Sequence, residues 1–191
     1  MNIGDNSYGY VLKGRGTTFT NSSSGSVTLG TKSVYLYSDD TTGNITNNVA
    51  LTSNGSAAGT PIASATGGQN YGLYSAGTVV NNANIDFSRG IGNVGIYSIN
   101  GGTASNSGGA SITVGASSVG NPNPSDNYYA IGMAAGYYGD ASSPAYTGNI
   151  LNSGTINVTG ENSIGMYGTE SGTTVTNNGV INLSASNTVG M

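Results

Sequence analysis

Charge is what this chain has least of. Only 6% of its 191 residues are charged, against about 25% in typical soluble domains. There is no Cys, no His and no Trp. Without Cys the chain has no disulfide and no thiolate metal site. Without His and Cys it can build no Ser-His-Asp triad, no thiol nucleophile and no His-based zinc centre. No metal site and no cofactor is expected. Four Lys and Arg stand against eight Asp and Glu, for a net charge of −4. The imbalance is local, since residues 91–191 hold Asp126, Asp140, Glu161 and Glu170 and no basic residue. A nucleic-acid binder needs clustered Lys and Arg to displace phosphate counterions, and this chain has none to spare. Anionic membrane surfaces are disfavoured for the same reason. No apolar run reaches membrane-spanning length, and no basic start followed by an apolar segment marks a signal peptide.

What is present in quantity is Gly, Ser, Thr and Asn, with 36% apolar residues set in alternating doublets. Alternation argues against a disordered tract. With so few charges, Asn, Ser and Thr side chains must satisfy one another, as they do in ladders along stacked strands. The clearest unit is NSGTINVTGENSIGMY, Asn152 to Tyr167, which returns as NNGVINLSASNTVGM from Asn177. Asn152 matches Asn177, Gly154 matches Gly179, Ile156 matches Ile181, and Gly165 matches Gly190. A fixed period of this size is the signature of a solenoid, propeller or array.

Weaker copies run along the chain. One half of the unit is an apolar-x-apolar strand: Val27-Thr28-Leu29, Val49-Ala50-Leu51, Ile85-Asp86-Phe87, Ile112-Thr113-Val114, Ile156-Asn157-Val158 and Ile181-Asn182-Leu183. The other half is a Gly-apolar-Tyr or Gly-Met strand, seen at Gly72-Leu73-Tyr74, Gly95-Ile96-Tyr97, Gly132-Met133, Gly165-Met166-Tyr167 and Gly190-Met191. Tyr35 stands where Gly is otherwise found. No segment carries helical spacing. The prediction is an all-β fold, a parallel β-helix of about six coils, two or three strands per coil, roughly 30 Å long at about 4.8 Å per coil. Asn and Gly at the corners suit left-handed turns. Tyr74, Tyr97 and Tyr167, once per coil, predict a stacked aromatic ladder. The chain starts and stops inside the pattern, as expected of a piece of a longer solenoid without its caps.

Three stretches exceed the unit, at 52–71, 115–131 and 135–148, within one repeat segment covering 1–191. The first two leave the same corner, so they should project from one side. The second and third are rich in Pro and Tyr, and they supply the candidate ligand-binding residues: Asp126, Tyr128, Tyr129, Tyr137, Tyr138, Asp140 and Tyr146. Tyr brings a large amphipathic face at low entropic cost. Asp126 and Asp140 would accept hydrogen bonds from sugar hydroxyls or pair with a partner's Arg. The adjacent pair Asp39-Asp40 reads as a solvated acidic turn. A polysaccharide-cleaving β-helix would need two carboxylates about 5 to 9.5 Å apart in a cleft. Sequons at Asn21, Asn44, Asn54, Asn157 and Asn182 are what chance gives in so Asn-rich a chain.

The motif Asn152-x-Gly154-x-Ile156-x-Val158, followed by Ser163-x-Gly165-Met166-Tyr167, resembles the passenger repeats of type V autotransporters. It is most similar to the large fusobacterial outer-membrane adhesins of the RadD type. The similarity is close over 149–191, looser over 70–114, and only a pattern before residue 70. It implies a right-handed parallel β-helix, exported through an outer-membrane barrel and displayed on the bacterial surface as a monomeric passenger. It also implies adhesion to a bacterial or host surface protein or glycan, with no catalysis and no direct membrane contact by this segment. The alternatives are a purely structural spacer and, further off, a polysaccharide-cleaving enzyme. The repeat residues Gly72, Gly95, Asn152, Gly154, Gly165, Asn177, Gly179 and Gly190 are scaffold in every one of these readings.

Overall fold

A computed structural model describes residues 1–22, 25–57, 59–123 and 126–191. Ala58, Pro124 and Ser125, within the first two excursions, lie outside the described residues. The chain winds into a right-handed parallel β-helix with three strands per turn, so three sheets run the length of the rod. The first sheet holds β1 (Asn2–Ile3), β4 (Ser26–Leu29), β7 (Ala50–Ser53), β10 (Ile85–Ile91), β13 (Ser111–Ala116), β16 (Thr155–Val158) and β19 (Val180–Leu183). The second holds β2 (Tyr8–Leu12), β5 (Val34–Ser38), β8 (Tyr71–Ser75), β11 (Val94–Ser98), β14 (Ile131–Ala135) and β17 (Ile164–Gly168). The third holds β3 (Thr18–Thr20), β6 (Asn44–Asn47), β9 (Thr78–Asn81), β12 (Thr103–Asn106), β15 (Asn149–Asn152) and β18 (Thr174–Asn177). Six full turns result, and β19 begins a seventh. No α-helix occurs among the described residues, and a short 3-10 turn, Ile62–Ser64, sits in the loop after β7.

The core is built of columns, one side chain per coil. Val27, Leu51, Ile85, Ile112 and Ile156 form one, and Leu36, Leu73, Ile96, Met133 and Met166 form another. All ten are at most 5% exposed. Burying each such side chain is worth about 1.5–3 kcal/mol. The register corrects one sequence assignment. Leu51, not Val49, pairs with Val27 and Ile85, so the doublet Val49/Leu51 is displaced by two. Ser53 takes the place filled by Leu29 and Phe87 in neighbouring coils, and its hydroxyl donates to the Arg89 carbonyl at 2.6 Å. Val49 is still buried, at the corner ahead of the strand.

Two features of the unit have mechanical causes. At the end of the third-sheet strands, Asn21, Asn47, Asn81, Asn106, Asn152 and Asn177 form a ladder. Each Nδ2 donates to the next coil's Oδ1 at 2.8–2.9 Å. Asn47, Asn81, Asn106 and Asn152 are fully buried. In the second-sheet strands a methyl at Gly72, Gly95, Gly132 or Gly165 would lie 2.4–2.6 Å from the carbonyl oxygen of the next coil's glycine. Only a residue without Cβ lets the coils close up there. Tyr35, the exception, is buried, and its hydroxyl accepts a hydrogen bond from Asn21 Nδ2.

The Asp39-Asp40 turn is not the solvated acidic turn read from the sequence. Asp40 is 3% exposed, and its two carboxylate oxygens take the backbone N–H and hydroxyl of both Thr17 and Thr42 at 2.7–2.9 Å. These bonds, led by the Thr17 amide, hold its carboxyl well below the usual carboxylate range. Four donors on one carboxylate brace two successive corners. Asp39 does face solvent, and it pairs with Lys13 at 3.5 Å.

Candidate functional site

In the second sheet the strands break their alternation at the Gly, where the Gly and the next residue both face the core, and so two columns three residues apart turn outward. One is Tyr8, Val34, Tyr71, Val94, Ile131 and Ile164; the other is Val11, Tyr37, Tyr74, Tyr97, Ala134 and Tyr167. This outer face is apolar and aromatic. Two of the long loops wall it from opposite sides. Residues 117–130 leave the corner before β14, and their end is closed by an antiparallel bridge between Ser118 and Tyr128. Residues 136–148 leave the corner after β14 and close on a bridge between Tyr137 and Tyr146.

The result is one groove in two connected parts. The larger, about 510 Å³, is lined by Tyr8, Lys32, Gln69, Tyr71, Asn127, Tyr128 and Tyr129, among others. The smaller, about 180 Å³, is lined by Tyr97, Ala134, Tyr137, Tyr138 and Tyr167. Tyr71, Val94 and Ile131 belong to both. Tyr129 is 47% exposed and Tyr138 is 71% exposed, a large aromatic surface to leave in water.

The structure divides the seven candidate residues. Tyr128, Tyr129, Tyr137 and Tyr138 line the groove. Tyr146 faces another depression, beside Tyr37 and Tyr74. Asp126 is exposed in its turn and is not among the groove-lining residues. Asp140 is consumed by its own loop. One oxygen accepts from the Ser142 N–H and hydroxyl and from the Ser143 N–H at 2.7–2.9 Å, and the other accepts from the Tyr137 hydroxyl. These four bonds make Asp140 a brace of its own loop, which holds the Tyr137 hydroxyl in place. The Tyr137 bond in the first place, then Ser142, depresses the Asp140 carboxyl, while the same contact pushes the Tyr137 phenol up to about 12.

The aromatic ladder is real but interrupted. Tyr37 stacks on Tyr74 at 5.3 Å, Tyr74 meets Tyr97 edge-on at 5.1 Å, and Tyr71 stacks on Tyr97 at 6.1 Å. Tyr167 does not join them, because Ala134 stands in the intervening coil. The missing ring is what opens the smaller part of the groove. Burial, then neighbouring phenols, raises Tyr74 to about 12 and Tyr97 higher. The Tyr74 and Tyr97 hydroxyls therefore remain neutral donors at physiological pH.

Sequence reading missed the floor of the groove: Tyr71, Val94 and Ile131, each directly before the Gly of its strand. The signal was there, as an apolar residue one place ahead of the motif, on the opposite face. It also missed the corner residues. Two residues before the second-sheet strands the backbone is left-handed at Asn6, Lys32, Gln69, Gly92, Asn162 and Asn187. Asn and Gly tolerate that conformation; Lys and Gln do so at a cost. Lys32 and Gln69 line the groove, and so does Gly92.

Among the described residues no group of three or more Asp, Glu, His or Cys is gathered to hold a metal ion. No helix there is long and apolar enough to cross a membrane. A family model described as the BigA third pectate lyase-like domain matches residues 1–191. No curated protein and no solved structure matches the chain.

Proposed function

The chain belongs to the BigA third pectate lyase-like domain family, and from that premise we propose that this β-helical surface-protein domain is an adhesin segment. In this reading the second-sheet groove is the contact site for a glycan or protein on another bacterium or a host cell. The domain is displayed from the outer membrane as an autotransporter passenger. It binds and does not cleave. The observation that carries the reading is the convergence of Tyr128, Tyr129, Tyr137 and Tyr138, from two separate loops, over the outward Tyr71 and Tyr97. Aromatic faces with hydroxyl tips suit the alternating apolar and hydroxylated faces of sugar rings, and equally the apolar side chains of a protein epitope. Lys32 and Gln69 add polar side chains to it: both line the groove beside Gly92, on left-handed backbone that Asn or Gly would adopt at less cost.

The test is binding of the 191-residue domain to glycan arrays and to host and bacterial cells, beside a variant with all four loop tyrosines changed to Ala. Loss of binding in the variant supports the groove. Equal binding by both removes it. A second reading, a spacer that holds a distal tip away from the membrane, is favoured by the unbroken Asn ladder through six coils. It predicts no binding by this domain, and unchanged adhesion when the four substitutions are placed in the full-length protein.

A further inference from the structure

The charged residues are distributed unevenly around the rod. Asp5, Lys32 and Glu161 lie in turns entering the second sheet, and Lys13, Arg15, Asp39, Asp40, Asp140 and Glu170 lie in turns entering the third. Asp86 and Arg89 lie on β10, and Asp126 lies in the loop before β14. The third sheet and the turns that follow its strands carry no charge at all. That face is also the most regular of the three, with every strand pair in unbroken register. Its first outward column is Thr18, Asn44, Thr78, Thr103, Asn149 and Thr174. Its second mixes Thr and Ser with the half-buried Val80 and Leu151. A flat β surface without a charge lacks the usual protection against association.

We infer that this face is a docking surface for a second copy of the chain, packed sheet to sheet with the two rods antiparallel. Thr and Asn each donate and accept, so such a face is complementary to itself, as a two-fold interface requires. The charges at the two ends of this flank select the direction, against one like-charge approach of Asp39, already paired with Lys13, to the partner's Asp140. Arg15 precedes β3 in the first coil, and Glu170 precedes β18 in the last. A two-fold axis across the rods brings the first coil of one copy beside the last coil of the other, on the same flank. Arg15 then lies next to the partner's Glu170, twice over. A parallel arrangement lacks that match. The face is about 30 Å by 15 Å from strand spacing and length. It therefore buries on the order of 900 Å² in total, below the size of stable complexes and fit for a weak, reversible contact. Such a contact leaves the domain monomeric when dilute and pairs it when crowded on a surface.

Sedimentation velocity on the whole domain, from about 10 μM to about 1 mM, reads the equilibrium directly, with an expected dissociation constant of about 100 μM. Thr78 and Thr103 are exposed at the middle of the face, so Thr78→Lys with Thr103→Lys sets four ammonium groups around the two-fold axis without touching the core. This variant should keep the wild-type melting curve and associate at least about tenfold more weakly. Arg15→Glu should weaken pairing by a smaller factor, and adding Glu170→Arg to it should restore the loss. A wild-type domain that stays monomeric throughout overturns the inference. So does a double-Lys variant that pairs as the wild type does, since the copies would then meet elsewhere, such as end to end. Failure of the charge exchange to restore pairing overturns the antiparallel arrangement.

Discussion

Asn106 sits at the middle of the buried amide ladder. Its Oδ1 accepts from Asn81 Nδ2 at 2.9 Å, and its Nδ2 donates to Asn152 Oδ1 at 2.9 Å. Asn106→Ala removes both bonds. At about 1 kcal/mol net for each, with about 1 kcal/mol more for Asn152 Oδ1 left in the interior without that donor, the cost is about 3 kcal/mol. In a chain of this size that lowers the melting temperature by about 6–12 °C. Asn81 Nδ2 keeps its second acceptor, the Ala83 carbonyl at 2.7 Å, which limits the damage upstream. The internal control is Asn177→Ala. Asn177 makes the same step of the ladder but is exposed, so water replaces the lost bond and the cost should be about 1 kcal/mol or less. Asn106→Asp separates bonding from shape. A carboxylate there would face the Asn152 acceptor in a dry corner, so its pKa is raised. That variant should be the least stable of the three at pH 7 and should recover as pH falls and the carboxyl becomes a donor. Thermal melting followed by circular dichroism at pH 7 and pH 4 checks all three. If Asn106→Ala and Asn177→Ala melt together, buried amide pairing does not hold the coils in register and the reasoning fails.

Gly132→Ala would place a methyl 2.6 Å from the Gly165 carbonyl oxygen and 2.7 Å from Ile156 Cγ2; a loss of about 1–3 kcal/mol is expected in denaturant titration. Gly109→Ala, with nothing within 4 Å, should cost nothing measurable. Ala134→Tyr should complete the ladder between Tyr97 and Tyr167, gaining about 1 kcal/mol from ring contacts, while filling the smaller part of the groove. Higher stability with undiminished binding would show that the ligand does not sit there. Asp40 has a depressed pKa in the folded state, so its contribution is fully present above the unfolded value near 4 and is lost as pH falls through the folded one. Asp40→Asn should therefore flatten the acid limb of the stability profile below about pH 4 while lowering stability at pH 7; an unchanged acid limb would place the acid-sensitive group elsewhere. Tyr74 is shifted the opposite way, to about 12, so stability should fall as pH rises above about 10, and Tyr74→Phe should soften that fall in an alkaline melt series.

Much of this fold could be read one coil at a time. The apolar doublets at Ile112/Val114 and Ile156/Val158 pair in the register the repeat implies, because strand alternation is local and each coil repeats the same buried face. The reading slipped at Val49/Leu51 because the sheet uses Leu51 and Ser53 instead, a polar residue in an apolar place whose hydroxyl is satisfied by the Arg89 carbonyl. Asp40 was misread because its donors, Thr17 and Thr42, come from two different coils. The internal bonds of Asp140 were not legible, because the loop folds back on itself to bring the Tyr137 hydroxyl to its carboxylate.

By itself, then, the sequence determined the repeat: Gly where coils must touch, Asn where an amide must bridge them, and apolar residues two apart where a strand needs one dry face. Those are demands that a single coil places on its neighbour, so they are written into every copy. What only the tertiary structure decided is which outward side chains meet. Stacking brings Tyr71 under Tyr97 and sets Tyr128 and Tyr137 on opposite walls of the same sheet. It also gathers the uncharged Thr and Asn of six separated segments onto one face. Nothing in one coil requires those neighbours; they follow from the pitch of the helix, the corner from which each loop departs, and the coils at which the loops are inserted.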